Sequence, residues 1–282
     1  MKKGFLKKLT AVAAVATIAI SMIGCGAANT SSSSSASGSA SESVFEKIKK
    51  DGKLVGGTSA DYPPYEFHAT VDGNDKIVGF DMDIAQEVAD DLGVKLEIKD
   101  MDFDGLLVAL QSNKVDMVFA GMTPTEERKE NADFSDIYYE ATHRFILRSG
   151  EEASVKSFDV LKGKKIGVKK GSIQEGIAKD NFDESNIKSL AKVTDLILDL
   201  KNNKVDAILV EEGVAKLYCE KNEGIAVADN FVVKDDNGGA AIAFNKGQAE
   251  LQTEVNKTIQ KLKDEGKIEK LVTDANELAG EQ

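Results

Sequence analysis

The pattern of apolar and polar positions in the first half of the chain predicts strands that alternate with helices. Residues 53–60, KLVGGTSA, are typical of a short strand that runs into a loop. Residues 79–93, GFDMDIAQEVADDLG, place apolar side chains on one helical face and end at Gly93, a residue that commonly closes helices. This alternation predicts an α/β fold.

The next segment continues the alternation. Residues 94–99, VKLEIK, form an alternating strand pattern, and 104–114, DGLLVALQSNK, form a helical pattern for which Asp104 is the predicted cap. Residues 115–121, VDMVFAG, follow as a buried strand. Strands that alternate with helices predict a parallel or mixed sheet with right-handed crossovers.

An internal repeat extends this pattern into the second half of the chain. Residues 106–121, LLVALQSNKVDMVFAG, align without gaps on residues 196–211, LILDLKNNKVDAILVE, at a constant offset of 90 residues. Chance or a common helix-to-strand turn could explain the shared NKVD alone, but the leucine spacing matches too. The repeat therefore favours two lobes of similar α/β build.

The start of the chain carries a targeting pattern. Residues 1–8 contain four lysines and no acid, and residues 9–23 are almost wholly apolar but too short for a typical membrane span. We expect a removed signal peptide over 1–24. The sequence MIGC resembles a bacterial lipobox, which implies a lipid on Cys25; the alternative is an ordinary signal with an incidental cysteine. Residues 25–43 are rich in serine and predict a flexible tether.

Charge and cysteine content then exclude several kinds of partner. Without residues 1–24 the chain keeps 32 basic and 48 acidic residues, a net charge of −16 against −12 for the whole sequence. Phosphate backbones repel such a chain, so we expect no nucleic-acid partner. Lipidation of Cys25 would leave Cys219 alone, so we expect neither an internal disulfide nor a cysteine metal site, and no cofactor.

Candidate chemistry lies where strands end, because ligands of open α/β sheets bind there. Thr123 and Glu126 form a predicted capping box after the strand at 115–121, and the helix start that it marks suits an anion. Arg128 follows within this helix and could pair with a carboxylate. Ser172 and Glu175 form a second predicted capping box in the second half of the chain. The simpler alternative is that both motifs only start helices.

The order of the motifs is more specific than any one of them. The segments GTSADYPPYEF, VGFDMDIA, MDFDGLLVAL, AGMTPTEERKENADFSDIYY, GKKIGVKKGS and KVDAILVEE follow one another over about residues 44–270. In this order they resemble the amino-acid-binding solute receptors of ABC importers, the polar amino acid family. The resemblance implies a two-lobe, periplasmic-binding-protein-like fold of type II with a two-strand hinge.

The resemblance also implies domain boundaries. The chain would leave the first lobe near residues 139–144 and return near 238–243. Residues 44–142 together with 239–282 would form the first lobe, and residues 143–238 would form the second. The first lobe is therefore predicted to be discontinuous in sequence.

Site residues follow from the same resemblance. It implies that Arg128, assisted by Thr123, binds the α-carboxylate of an amino acid, and that Glu211 binds the α-ammonium together with the Gly121 carbonyl. Tyr62 and Phe103 would enclose the ligand side chain, and Ser172 would close on the carboxylate. The remaining implied ligand-binding residues are Met122, next to Gly121, and two further candidates, Ser59 and Gln174. One arginine and one acid suit a zwitterion, because burial of either charge unpaired costs several kcal/mol.

The choice of ligand stays open at this point. Relatives that select cationic side chains often carry Asp where this chain has Ser59, which removes one expected counter-charge. The acids that could replace it are Asp61, Glu66, Asp102 and Asp104. Tyr62 and Phe103 could stack on a guanidinium, an ammonium or an uncharged amide. We expect a polar amino acid, with cationic or glutamine-like ligands ahead of acidic ones.

The predicted function is an extracytoplasmic substrate-binding lipoprotein that delivers its ligand to the permease subunits of an ABC transporter, lipid-anchored at the outer face of the membrane. The alternative is a dehydratase-like enzyme on the same fold. Such an enzyme needs a general acid or base near neutrality, and the chain offers only His68 and His143, both expected to be surface or structural residues. A sensor domain of a membrane kinase would require a second span. We therefore predict a binding protein and not an enzyme.

Overall fold

The computed structural model describes residues 43–234 and 238–281. The predicted signal peptide, the lipidation at Cys25 and the tether up to residue 42 lie outside the described residues. Within these two ranges, no helix combines the length and the apolar character that a membrane crossing requires.

Helices in the described ranges follow the predicted alternation with strands. They are α1 (Val44–Asp51), α2 (Phe80–Asp91), α3 (Leu106–Gln111), α4 (Glu126–Asn131), α5 (Ile173–Asn181), α6 (Val193–Lys201), α7 (Glu212–Lys221), α8 (Ala249–Asp264) and α9 (Lys267–Glu281). Short 3-10 helices lie at Phe103–Gly105, Glu152–Ser154, Phe158–Leu161 and Glu184–Asn186.

The strands are mostly short. They are β1 (Lys53–Thr58), β2 (Asp61–Tyr62), β3 (Glu66–Val71), β4 (Asn74–Val78), β5 (Lys95–Asp100), β6 (Met117–Val118), β7 (Asp133–Phe134), β8 (Thr142–Arg148), β9 (Ile166–Lys169), β10 (Ile187–Leu190), β11 (Ala207–Glu211), β12 (Ile225–Val227), β13 (Val233–Lys234) and β14 (Ala243–Phe244).

These strands form two mixed sheets and a small meander. The first sheet has the order β5-β1-β6-β14-β7, with β1 parallel to β5 and β6 and with β14 antiparallel to its neighbours. The second has the order β10-β9-β11-β8-β12, with β13 paired to β8. Strands β2, β3 and β4 form the antiparallel meander. We call the part built on the first sheet and the meander the first lobe, and the part built on the second sheet the second lobe.

Helix α2 shows how apolar spacing produces this packing. Phe80, Ile84 and Val88 are buried on the predicted face, and Gly93 follows in the left-handed conformation that glycine tolerates. This face packs within the first lobe, where α2 also contacts α8 and α9. The helix predicted from residues 79–93 is therefore confirmed.

The internal repeat is confirmed in atomic detail. Asn113 and Asn203, 90 positions apart, both adopt a positive φ, at 55° and 58°, in the turn that follows α3 and α6. The repeated aspartates then make equivalent bonds: the Asp116 carboxylate accepts the Val55 N–H at 3.0 Å, and Asp206 accepts the Lys165 N–H at 2.9 Å. Each aspartate thereby fixes its own strand to the neighbouring one.

The two lobes are joined where two chain segments cross. Tyr139 and Ala240 form an antiparallel bridge, in which the Ala240 N–H donates to the Tyr139 carbonyl at 2.8 Å. Gly239 allows this approach, because its φ is 117° and a Cβ there would lie 2.3 Å from the Tyr139 oxygen. The α/β class with two lobes and two crossing segments is confirmed, whereas the lobe boundaries 44–142 with 239–282 and 143–238 stay a prediction.

Two predicted helix caps are wrong in position. Helix α4 begins two residues later than predicted, and its cap is Thr125, not Thr123; the Thr125 hydroxyl accepts the Arg128 N–H at 3.3 Å. Asp104 caps no helix, because a 3-10 turn precedes α3 and the Asp104 side chain instead pairs with Lys170 at 2.8 Å. The cap of α5 is Ser172 as predicted, with the Glu175 N–H at 3.3 Å.

Candidate functional site

A cavity with about 370 Å³ of empty space lies between the two lobes, and most of the predicted site residues line it. The first lobe contributes Tyr62, Phe103, Gly121, Thr123 and Arg128 to its wall. The second lobe contributes Ser172, Gln174 and Glu211. Residues that are up to about 150 positions apart in sequence therefore meet around one space.

Arg128 reaches from the first lobe to the second. Its guanidinium donates to the Thr123 carbonyl at 2.7 Å and to the Gly171 carbonyl at 2.8 Å, and it lies 5.4 Å from the centre of the Phe103 ring. These contacts hold the cation at the cavity wall. Thr123 takes part through its backbone oxygen and not as the helix cap.

Glu211 ends strand β11 and is buried, with 7% of its surface exposed. The Tyr65 hydroxyl of the first lobe donates to its carboxylate, and its own N–H donates to the Tyr62 hydroxyl at 3.2 Å. Gln174 donates to the same Tyr62 hydroxyl at 3.2 Å. The acid is therefore held in a fixed position by aromatic hydroxyls from across the cleft.

Lys169 is a cavity residue that sequence reasoning missed. Its ammonium is 5.1 Å from the centre of the Tyr62 ring and 5.5 Å from that of Phe103, so both rings already face a cation. Lys169 forms a buried ion pair with Asp61, whose second oxygen accepts the Val193 N–H at 2.7 Å. The position of Lys169 at the end of an apolar strand was the one available signal.

The four acids left open as counter-charges have different environments. They are Asp61, Glu66, Asp102 and Asp104. Asp61 is neutralised by Lys169, Asp104 pairs with Lys170, and Asp102 is exposed outside the cavity wall. Glu66 lines the cavity with none of its surface exposed, and no backbone N–H, hydroxyl or cationic group in the part of the chain that the structure describes donates to its carboxyl oxygens. Its hydrogen bond is with the neighbouring Asp81 carboxyl group.

Burial governs the charge of Glu66. Loss of water raises the pKa of Glu66 well above its ordinary value, and the nearby Asp81 carboxylate raises it further, whereas Lys169 acts in the opposite direction. A buried acid to which no N–H, hydroxyl or cationic group donates is costly to the fold. Such a group in a cavity wall is a candidate for ligand binding.

Asp81 lies beside Glu66 and supports the same wall. Its carboxylate accepts the Gly121 N–H at 2.8 Å and the Tyr138 hydroxyl at 2.8 Å. Gly121 has a φ of 54°, and a Cβ there would lie 3.1 Å from the Tyr65 ring, so the wall needs glycine at this point. The Gly121 carbonyl is thus presented by a rigid turn.

Two predicted residues do not line the cavity. Met122 is buried beside it, where its carbonyl accepts the Ala241 N–H at 2.9 Å. Ser59 is also buried, and its hydroxyl lies 3.3 Å from an Asp61 carboxylate oxygen. His143, expected to be structural, does line the cavity, and its Nδ1 lies 3.1 Å from the Gln174 amide nitrogen.

The wall therefore combines two cations, Arg128 and the Asp61-paired Lys169, with two buried acids and aromatic rings. Two opposite charges on a small ligand can be matched by Arg128 and Glu211, which come from different lobes. The Tyr62 and Phe103 rings and the Glu66 carboxyl group remain to contact a third group of the ligand, its side chain. Among the described residues, no cluster of three side chains suited to a metal ion occurs.

Comparison with known proteins agrees with this geometry. Residues 54–274 match the model of the bacterial extracellular solute-binding proteins, family 3. Among similar solved structures is the amino acid ABC transporter substrate-binding protein AbpA of Streptococcus pneumoniae bound to L-arginine, with 41% identity and a TM-score of 0.81, over 84% of this chain and 100% of that one. This likeness confirms the predicted two-lobe fold of type II.

Similar proteins are known by sequence as well. The arginine-binding extracellular protein ArtP of Bacillus subtilis is 38% identical over 94% of this chain and 96% of its own length. The L-cystine-binding protein TcyJ of Escherichia coli is 32% identical over 82% of this chain and 85% of its own length. Both are binding proteins for amino acids.

Proposed function

Because the chain belongs to the bacterial extracellular solute-binding proteins, family 3, and so serves an ABC importer as an amino-acid-binding component and not as an enzyme, we propose that its ligand is a cationic L-amino acid, with arginine favoured. Arginine is the ligand in the S. pneumoniae structure and in the name of the B. subtilis relative. The finer assignment for this chain depends on its own cavity residues.

The observation that carries the proposal is the environment of Glu66. It is the one acid of the four candidate counter-charges that lines the cavity and is fully buried, and no N–H, hydroxyl or cationic group of the described residues donates to it. A guanidinium or ammonium group would supply both a counter-charge and hydrogen-bond donors. A purely apolar ligand side chain would leave this carboxyl group unmatched, at a cost of several kcal/mol.

The remaining groups of an amino acid have matching partners. We assign the α-carboxylate to Arg128 with Ser172 and Thr123 nearby, and the α-ammonium to Glu211 with the Gly121 carbonyl. Arg128 and Glu211 lie in different lobes, so a zwitterion that pairs with both stabilises the closed arrangement. The ligand side chain then passes Tyr62 and Phe103, whose ring faces attract cations.

A second candidate is a glutamine-like ligand. The raised pKa of Glu66 favours a neutral carboxyl group, which can hydrogen-bond an uncharged amide. Tyr62 and Phe103 would stack on an amide as well as on a guanidinium. The two candidates differ in whether a positive charge on the ligand increases its affinity.

Calorimetry on the purified protein tests the proposal. The ligands are arginine, lysine, glutamine, cystine and citrulline, which has nearly the shape of arginine but no side-chain charge. We expect arginine to bind most tightly, with citrulline at least about tenfold weaker, since a buried charge pair contributes more than about 1.4 kcal/mol. Tighter binding of glutamine would favour the second candidate. No binding of any ligand would contradict the proposal, and chromatography that finds the ligand consumed would contradict the binding function itself.

The proposed location follows from the start of the chain. We propose that Cys25 carries a lipid, that residues 25–43 act as a tether, and that the lobes present the ligand to permease subunits at the outer face of the membrane. One lipid-modified cysteine with two acyl chains is enough for stable anchoring. Mass spectrometry of the mature N-terminus tests this. An unmodified N-terminus downstream of Cys25 would contradict the anchor and leave the binding function unaffected.

A further inference from the structure

Two buried carboxyl groups, Glu66 and Asp81, lie next to each other in the first lobe. Glu66 begins β3 and has no exposed surface, and Asp81, in the first turn of α2, is 1% exposed. The Asp81 N–H donates to the carbonyl of Tyr65, the residue before Glu66, at 3.0 Å, and the Phe80 N–H donates to the Pro64 carbonyl at 3.1 Å. The backbone thus fixes the two acids side by side.

The two acids differ in their partners. Asp81 has two neutral donors, the Gly121 N–H at 2.8 Å and the Tyr138 hydroxyl, whose oxygen lies 2.8 and 2.9 Å from the two carboxylate oxygens. No backbone N–H, hydroxyl or cationic group of the described ranges donates to Glu66, and its hydrogen bond is with the Asp81 carboxyl group. The charge of Lys169 lowers the pKa of Glu66, but its ammonium is already paired with Asp61. The donors described for Asp81 are thus uncharged.

We propose that Glu66 and Asp81 share a proton when no ligand is bound, and that a cationic ligand side chain displaces it. This inference rests on the proposed function, because it needs a cation that enters the cavity beside Glu66. In the step, the carboxyl O–H bond breaks, the proton passes to solvent, and the carboxylate forms an ion pair with the ligand guanidinium. The charge in the cavity is the same before and after.

The pKa values of both acids support a shared proton. Burial raises the pKa of Glu66 well above its ordinary value and that of Asp81 to about 7. Two adjacent buried carboxyl groups titrate as a unit, and the first proton to be lost leaves the second more tightly held. Because both shifts are upward, the pair holds a proton at neutral pH and below. Affinity for a cation should therefore rise with pH until this proton is lost.

Other titratable groups face Glu66, and a test of the inference must distinguish their proton exchange from that of the acid pair. From β2 and the turn before β3 they are Asp61, Tyr62 and Tyr65; from β9, Lys169; from β11, Glu211; from the first crossing segment, Tyr138; and in the cavity wall, Arg128 and His143. Burial raises the pKa of each of these tyrosines well above its ordinary value, so they stay neutral below about pH 8. Histidine is the side chain that ordinarily titrates near neutrality, which makes His143 the main competitor.

Calorimetry of arginine binding in buffers with different ionisation enthalpies tests the inference, since the heat then reports the number of protons exchanged. Between about pH 5.5 and 7 we expect the wild type to release up to about one proton per arginine, with an affinity that rises by up to about tenfold per pH unit. At pH values above those at which the pair has lost this proton, both effects should fade. Citrulline should bind without proton release, because it brings no positive charge.

Two variants distinguish proton release by the Glu66–Asp81 pair from proton release by His143. Asp81→Asn removes the neighbouring charge and should shift proton release to lower pH, whereas His143→Gln should leave the release unchanged; circular dichroism checks that both fold. Arginine binding without proton release would overturn the inference alone. Loss of the release in His143→Gln, with Asp81→Asn like the wild type, would also overturn it. No arginine binding at all by the wild type would instead contradict the proposed function.

Discussion

The two repeated segments share a scaffold and differ at one end. In residues 106–121 and 196–211, the helix, the left-handed asparagine and the aspartate that fixes the next strand are equivalent. The last repeat position is Gly121 in the first lobe and Glu211 in the second. Both residues line the cavity, one with a backbone carbonyl on a left-handed turn and the other with a buried carboxylate.

This difference separates stability from recognition within one motif. Each aspartate lies within one lobe, where its side chain accepts a backbone N–H of the neighbouring segment, and neither lines the cavity. The final residues face the other lobe, where a ligand can meet them. We therefore expect substitutions at the repeat aspartates to change folding, and substitutions at the cavity residues to change affinity.

The largest expected effect is on affinity, at the residues that face the ligand. Arg128→Ala removes the donor to a ligand carboxylate, and Glu211→Gln removes the charge opposite the ammonium while it keeps an acceptor for Tyr65. Loss of one partner from a desolvated charge pair costs about 2–5 kcal/mol, or about 30-fold to several thousand-fold in affinity. Ligand titration and urea unfolding on the same variants measure both quantities.

For these two variants, the free energy of unfolding without ligand should change by no more than about 1 kcal/mol, because each substitution removes few hydrogen bonds from a wall that water can reach. Unchanged affinity of Arg128→Ala, with an intact fold, would show that the arginine only supports its helix. Equal decreases in affinity and in the free energy of unfolding would contradict the distinction between residues for recognition and residues for stability.

A smaller effect is expected at the scaffold. Asp116→Ala leaves the Val55 N–H without its acceptor, and Asp206→Ala does the same to Lys165, at a cost of about 1–3 kcal/mol. The Asp116 side chain is 4% exposed and that of Asp206 31%, so Asp116→Ala should destabilise more. Urea midpoints of the two variants give the order. Arginine affinity of the refolded protein should stay within about threefold of the wild type, and a larger decrease with unchanged stability would place the aspartates in recognition.

How far the sequence could predict this molecule depends on the range of the interactions. Helix α2, the strand at residues 53–58, the repeat and the Ser172 cap follow from local spacing and are confirmed. Motif order led to the two-lobe fold and to the cavity positions of Arg128 and Glu211. These features depend on residues that are close in sequence or on a resemblance over the whole chain.

The features that the sequence did not predict depend on contacts between residues that are distant in sequence. Asp104 looks like a cap locally, but it pairs with Lys170, 66 positions later in the chain. The neutralisation of Asp61 by Lys169 spans 108 positions, and only this pairing removes Asp61 from the candidate counter-charges. Likewise, nothing in the sequence near Glu66 indicates that no N–H, hydroxyl or cationic group of the described structure donates to it, or that Asp81 lies beside it.

The most direct test of the central claim compares Glu66→Gln with the wild type in arginine and citrulline affinity at about pH 8, with the exposed Glu97→Gln as the matched control. If Glu66 recognises the ligand cation, arginine should lose at least about 30-fold in affinity while citrulline changes by less than about threefold, so that the preference for arginine disappears. Glu97→Gln should behave like the wild type. An unaltered preference for arginine in a folded Glu66→Gln would contradict the account.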